Sequence, residues 1–190
     1  MARWQAGAGD RLEQAALALF LEQGFAETTV PQIAARAGLT TRTFFRHFAD
    51  KREVLFRADA NVPILIQELM AEAALSLSPL TLISTRLGGF AEQVFAGQRD
   101  ILLLQQRIIQ TDPGLQDRKR RKMATLRDAI IAGFLQRGTE RLVATIAADL
   151  AMSVLGTALE RWLSADGTTP FTTYVAEGLQ ALHVLKEQEL

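Results

Sequence analysis

Apolar residues recur along this chain at intervals of three and four, and a period of two appears nowhere. The pattern predicts helices and no strands, an all-α protein. The first stripe is Leu12, Ala16, Leu19 and Phe20, opening at Asp10 and stopped by Gly24, with Phe25 and Val30 expected beneath it. Farther on, Asp50 caps a fourth helix that begins at Lys51 and passes Val54, Leu55 and Phe56, where Pro63 should kink or break it. Residues Ile64 to Leu75 read as helix. Ser78 and Pro79 open another to about Ala96, with Gly88 and Gly89 marking a possible bend. Asp100 opens the next, which ends before Asp112-Pro113-Gly114, and a long helix then runs to about Arg137 and Gly138. Thr139 is expected to cap a helix with a wide apolar stripe from Val143 through Ile146, Leu150, Val154 and Ala158 to Trp162. After Asp166-Gly167, Thr169 and Pro170 start the last helix, with Phe171, Tyr174, Val175, Leu179, Leu182 and Leu185 at helical spacing.

One stretch, Thr28 to Leu55, has a more specific layout. Thr29 can cap a short helix, with Gln32 completing a capping box, Pro31 in the first turn and Ala34, Ala35 and Ala37 as strong helix formers. Gly38 follows, where a helix end favours a residue without a side chain. Thr40 then caps a second helix carrying Thr41, Arg42, Thr43, Phe45, Arg46 and His47. Phe44 and Phe48 lie four apart and share its inner side, whereas Phe45 points away. A short helix, a glycine turn and a helix of small polar and basic residues is the layout of a helix-turn-helix whose second helix enters the DNA major groove.

The segments LEQAALALFLEQGF (Leu12 to Phe25), TTV-x-x-IA (Thr28 to Ala34) and AGLTTRTFFRHFADKREVL (Ala37 to Leu55) stand in an order and spacing that resemble the N-terminal domain of TetR-family transcriptional regulators. The likeness covers about the first quarter of the chain. It implies a three-helix DNA-binding domain over residues 1–50 and a helical effector-binding and dimerisation domain over 51–190. It also implies roles for single residues. Thr29 would offer its hydroxyl and backbone N–H to a phosphate. Thr41, Arg42 and Thr43 would lie near base edges, with Arg42 reading a guanine, and Thr40 is a further DNA-binding candidate. His47 and Lys51 match positions that touch phosphate in the family. Phe45 stands where the family usually has tyrosine, and without the hydroxyl it contributes contact area only. Arg46 is placed beside these, facing DNA or solvent.

Composition narrows the rest. Across 190 residues the net charge is zero, so the whole chain does not attract nucleic acid, but Arg36 to Arg52 holds five basic residues against Asp50, a local balance of +4. There are no cysteines, which excludes disulfides, thiolate catalysis and cysteine metal sites, and two histidines, His47 and His183, supply neither a metal cluster nor a triad. No metal or cofactor is expected, and no enzymatic motif is present. No uninterrupted run of ~18 apolar residues and no signal peptide is evident, so a cytoplasmic protein without a membrane span is expected. Near the start, Arg3 and Trp4 form a basic arm of the kind that reaches a minor groove, with a frayed terminus the simpler reading. The run Arg118 to Lys122 (RKRRK) points all round a helix axis and reads as a solvated face.

The partners expected are a palindromic operator in double-stranded DNA, a second copy of the chain and a small effector of apolar or amphipathic character. Leu150, Val154, Trp162, Phe171, Tyr174, Val175, Leu179 and Leu182, on the last two helices, are the expected dimer interface. Phe90, Arg107, Met123, Phe134, Met152 and Trp162 are the expected pocket residues, and Arg86 and Arg107, each within an otherwise apolar helix segment, could orient an anionic ligand, a surface salt bridge being the commoner reading. The function expected is a repressor released from its operator by the effector. The alternative is a helical adaptor that binds protein partners and has lost DNA binding.

Overall fold

The computed structural model describes residues 7–57 and 61–187, with side chains described as far as Val184. Arg3, Trp4 and the Leu185 side chain therefore lie outside the described residues. Among the described residues every regular element is helical: α1 (Ala8–Gln23), α2 (Val30–Arg36), α3 (Thr41–His47), a 3-10 turn (Glu53–Phe56), α4 (Val62–Glu72), α5 (Pro79–Phe95), α6 (Arg99–Gln110), α7 (Pro113–Gln136), α8 (Arg141–Ser164) and α9 (Phe171–Glu187). Packing gathers them into two compact units, one of residues 1–60 with 103–119 and one of residues 61–102 with 120–190.

The first unit is built on α1. Its inner face buries Leu12, Ala16 and Phe20 against Ile33 of α2 and Phe44 of α3, with Ile108, Ile109 and Leu115 closing the same core. Phe20 and Phe25 meet at 5.0 Å between ring centroids, and Phe44 and Phe48 at 5.4 Å. Arg57 donates to Glu13 at 2.8 Å and pairs with Asp10 at 2.7 Å, holding the start of α1. The guanidinium beside it keeps the Asp10 carboxyl below the usual carboxylate range. Arg118, the first residue of the basic run, is held by Glu53.

The second unit buries Ile66 and Met70 of α4, Leu82, Leu87 and Phe90 of α5, Ile130 and Phe134 of α7, and a row of alanines from α8 against Phe171 and Val175 of α9. Two close helix approaches depend on glycine. A Cβ on Gly133 of α7 would lie 2.7 Å from Met70 Cγ, and one on Gly178 of α9 would lie 3.0 Å from Val154 Cγ1. Two arginines cap helix C-termini: Arg137 donates to the carbonyls of Met70, Ala73 and Ala74 after α4, and Arg99 to those of Trp162, Leu163 and Ala165 after α8.

Several boundaries differ from the periodicity. Within residues 51–57 the stretch expected as helix from Lys51 forms a 3-10 turn, residues 58–60 lie outside the described residues, and Pro63 stands in the first turn of α4, where its missing N–H is harmless, in keeping with the break expected there. Helix α1 starts ahead of Asp10, whose carboxylate accepts from the Gly7 N–H at 3.0 Å within its first turn. Glu140, not Thr139, caps α8, its carboxylate accepting from the N–H groups of Leu142 and Val143. Helix α5 runs unbroken through Gly88 and Gly89. Although no uninterrupted apolar run was expected, α8 contains a stretch long and apolar enough to cross a membrane by length and composition. Its alanines are core here, so the same composition serves close packing on α5 and α9.

Phe44 is fully buried in the first unit. Phe44→Ala should cost about 3–5 kcal/mol of stability, measured by denaturant unfolding, because the cavity opens where three helices meet.

Candidate nucleic-acid interface

Helices α2 and α3 span seven residues each, too short to persist alone. Their ends are therefore fixed by side chains. Gln32 accepts from the Thr29 N–H at 2.8 Å and from the Thr29 hydroxyl at 2.9 Å, completing the expected capping box at α2. Gln23 joins this network from α1, donating to Gln32, to the Thr28 hydroxyl and to the Glu27 carbonyl. At α3 the Thr40 hydroxyl accepts from the Thr43 N–H at 3.2 Å and lies 3.0 Å from the Thr43 hydroxyl. Between them Gly38 turns the chain at φ +66°, a conformation a side chain would strain.

Helix α3 is two-faced. Phe44 and Phe48 are buried, while Thr41, Arg42, Phe45, Arg46 and His47 are exposed and Thr43 is half-buried. Phe45 is 59% exposed and packs edge-on against Phe44 at 5.5 Å. Among the described residues no ion pair involves Arg42 or Arg46. Arg36, counted in the basic stretch, differs: it donates to Glu22 of α1 at 2.9 Å, an ion pair that lowers the Glu22 pKa and raises its own. The face thus presents two unpaired guanidiniums, hydroxyls and an exposed aromatic ring on one rigid helix. That set can donate to base edges and phosphates and can cover thymine methyls. Thr29 stands at the α2 N-terminus with both donors already given to Gln32. Lys51 turns inward, its ammonium 2.7, 3.1 and 2.8 Å from the carbonyl oxygens of Phe25, Ala26 and Thr28. Neither Gln23 nor this Lys51 geometry was visible in the sequence, which carries no signal for a side chain reaching back across two helices.

The second unit has a cleft of ≈ 230 Å³ between α4 and α5, with Leu65, Leu69 and Phe90 among its lining and Glu68, Glu72, Arg86, Gly89 and Gln93 around them. Of the expected pocket residues it includes Phe90. Phe134 and Trp162 are buried core, Met123 and Met152 are half-buried elsewhere, and Arg107 is exposed on a part of α6 belonging to the first unit. Arg86, an arginine within an otherwise apolar helix, was the other signal the sequence offered for this site. On α8 and α9, Val154, Trp162, Phe171 and Val175 are already buried within the single chain, whereas Leu150, Tyr174, Leu179 and Leu182 are half-exposed. Leu142, Val143 and Ile146 of α8 are exposed.

Comparison with known proteins agrees with this architecture. The family model described as "Bacterial regulatory proteins, tetR family" matches residues 13–58, and that of the "MftR C-terminal domain" matches residues 77–184. The chain is 47% identical over 70 residues to the HTH-type transcriptional regulator TcmR of Streptomyces glaucescens, a match covering 37% of this chain and 29% of that protein's length. Its fold resembles NalD, the secondary repressor of the MexAB-OprM multidrug efflux pump in Pseudomonas aeruginosa (TM-score 0.64, 19% identity, 93% of this chain and 94% of the other). It also resembles Thermus thermophilus FadR, a TetR-family transcriptional repressor in complex with lauroyl-CoA (TM-score 0.56, 22% identity, 96% and 95%). With a domain model over more than half its length and the helix-turn-helix model over its start, the chain belongs to the TetR family of DNA-binding transcriptional regulators.

Proposed function

We propose that this regulator is a repressor that grips a palindromic operator as a homodimer and releases it when a small amphipathic molecule binds residues 51–190. The observation that carries the reading is the outward face of α3, where Arg42, Phe45 and Arg46 are exposed and contribute nothing to the core. Arg42 is the residue proposed to read a guanine, with Thr40, Thr41, Thr43, Arg46 and His47 around it on bases and phosphates, and Thr29 on phosphate after exchange with Gln32. Binding to duplexes flanking its own gene should be selective over a random duplex and steep in salt. Arg42→Ala should lower that selectivity by about 1–3 kcal/mol. Equal, weak binding of the wild type to every duplex, including those selected from a random pool, would overturn the reading.

Dimerisation is supported by α8. Only 33% of its most apolar stretch is buried within one protomer, which leaves Leu142, Ile146 and half-exposed Leu150 along one stripe. A two-fold dimer is also what lets two short reading helices span successive major grooves. Ile146→Glu should raise the dimer dissociation constant roughly 100-fold or more in sedimentation analysis, by placing like charges and unpaired carboxylates in an apolar contact.

An effector is supported by the α4–α5 cleft, whose apolar residues and polar edge suit an amphipathic ligand. The lauroyl-CoA in the similar FadR structure is such a molecule. Operator affinity should fall about 100-fold with ligand bound, which needs only ~3 kcal/mol of differential binding between two states. Titrating operator binding with and without amphiphiles that bind the protein checks this, and release by none of them would remove the effector from the mechanism.

A further inference from the structure

We propose that Lys51 is a positioning residue for DNA recognition, its ammonium tying the segment that leaves α3 to the α1–α2 turn instead of contacting phosphate. An ammonium has three N–H donors, and here three carbonyl oxygens, those of Phe25, Ala26 and Thr28, stand at 2.7, 3.1 and 2.8 Å. The nitrogen also sits 4.5 Å from the centre of the Phe25 ring. Every donor is therefore already directed at the protein, and none remains for a phosphate.

The three acceptors lie just past the end of α1 and immediately ahead of α2. Thr28 is fully buried, and its hydroxyl donates to the Gly24 carbonyl at 2.8 Å, so the turn is rigid where Lys51 meets it. The next residue, Thr29, is the cap of α2. On the other side, Lys51 follows Phe48, the buried C-cap of α3, by three residues. One ammonium thus sets the distance between the start of α2 and the exit of α3, the two helices that must meet DNA together. Partial burial lowers the Lys51 pKa, opposed by Asp112 and Glu27 and aided by Arg52, consistent with a cation withdrawn from water. The inference rests on DNA binding by the helix-turn-helix.

Two measurements test it, the first on the wild-type protein alone and with its operator. Lysines of the wild-type protein are acetylated, free and in complex with its operator duplex, and the sites mapped by mass spectrometry with exposed Lys119 as the reactive control. Lys51 should be protected equally in both states. Reaction in the free protein with protection only in the complex would overturn the proposal and identify a phosphate contact.

The second is a salt titration of operator and random duplex with Lys51→Met and Lys51→Arg. As a positioning residue, Lys51 replaced by Met should lower operator affinity roughly tenfold or more at every salt, with little change on random duplex and an unchanged slope of log K against log salt. Lys51→Arg should not restore it, because a planar fork cannot aim at three carbonyls converging on one point. A slope smaller by about 0.9 in Lys51→Met, with affinity restored by Lys51→Arg, is the phosphate-contact result and would overturn it. Should Lys51→Met fail to fold, the acetylation pattern of the wild type still decides.

Discussion

The reading head of this regulator depends on one insertion, the Phe44 ring into the core beneath α1. Helices of seven residues do not hold their shape in water, since nucleation costs more than so few hydrogen bonds return. Helix α3 is ordered because Phe44 and Phe48 turn one side of it into core. The orientation of Arg42, Phe45 and Arg46 follows directly, because the helical period then leaves them only the outer side. The chemistry presented on the outer face is thus set by packing one residue away.

Cations placed on main-chain carbonyls near helix C-termini are the second recurrent device. Arg137 does this at the end of α4 and Arg99 at the end of α8, and Lys51 makes a related tie to carbonyls of the turn between α1 and α2. The last carbonyls of a helix have no partner within it and carry the negative end of its dipole, so a cation relieves both at once. Each also bridges to a distant part of the chain within its own unit, which makes the cap a tertiary tie. Helix ends that would otherwise fray become fixed points, including the α4 end beside the cleft.

The helix-turn-helix was largely legible because its signals are local. Thr29 with Gln32, Thr40 and Gly38 each act within three or four residues, and the alternation of Phe44, Phe45 and Phe48 states which side is buried. What stayed hidden is what needs the third dimension. A Lys51 reaching the α1–α2 turn looks identical in sequence to one reaching out, and the sequence does not distinguish Thr139 from Glu140 as the cap of α8. The 3-10 turn at Glu53–Phe56 was hidden because Val54, Leu55 and Phe56 are all buried, and a run of consecutive apolar residues suits a tight turn as well as an α-helix. On α8 and α9 the stripe was visible, but periodicity alone could not divide it into residues buried within the protomer and residues left at its surface. The cleft residues other than Phe90 and Arg86 were missed for the same reason.

The two-faced α3 has a consequence for descent with change. Its inner side is constrained by a crowded core, whereas Thr41, Arg42, Phe45 and Arg46 pack on little beyond their own helix. Substitutions there remove little buried surface and so cost folding little. If α3 reads DNA as proposed, copies of such a gene can drift to new target sites by a handful of replacements without passing through unfolded intermediates.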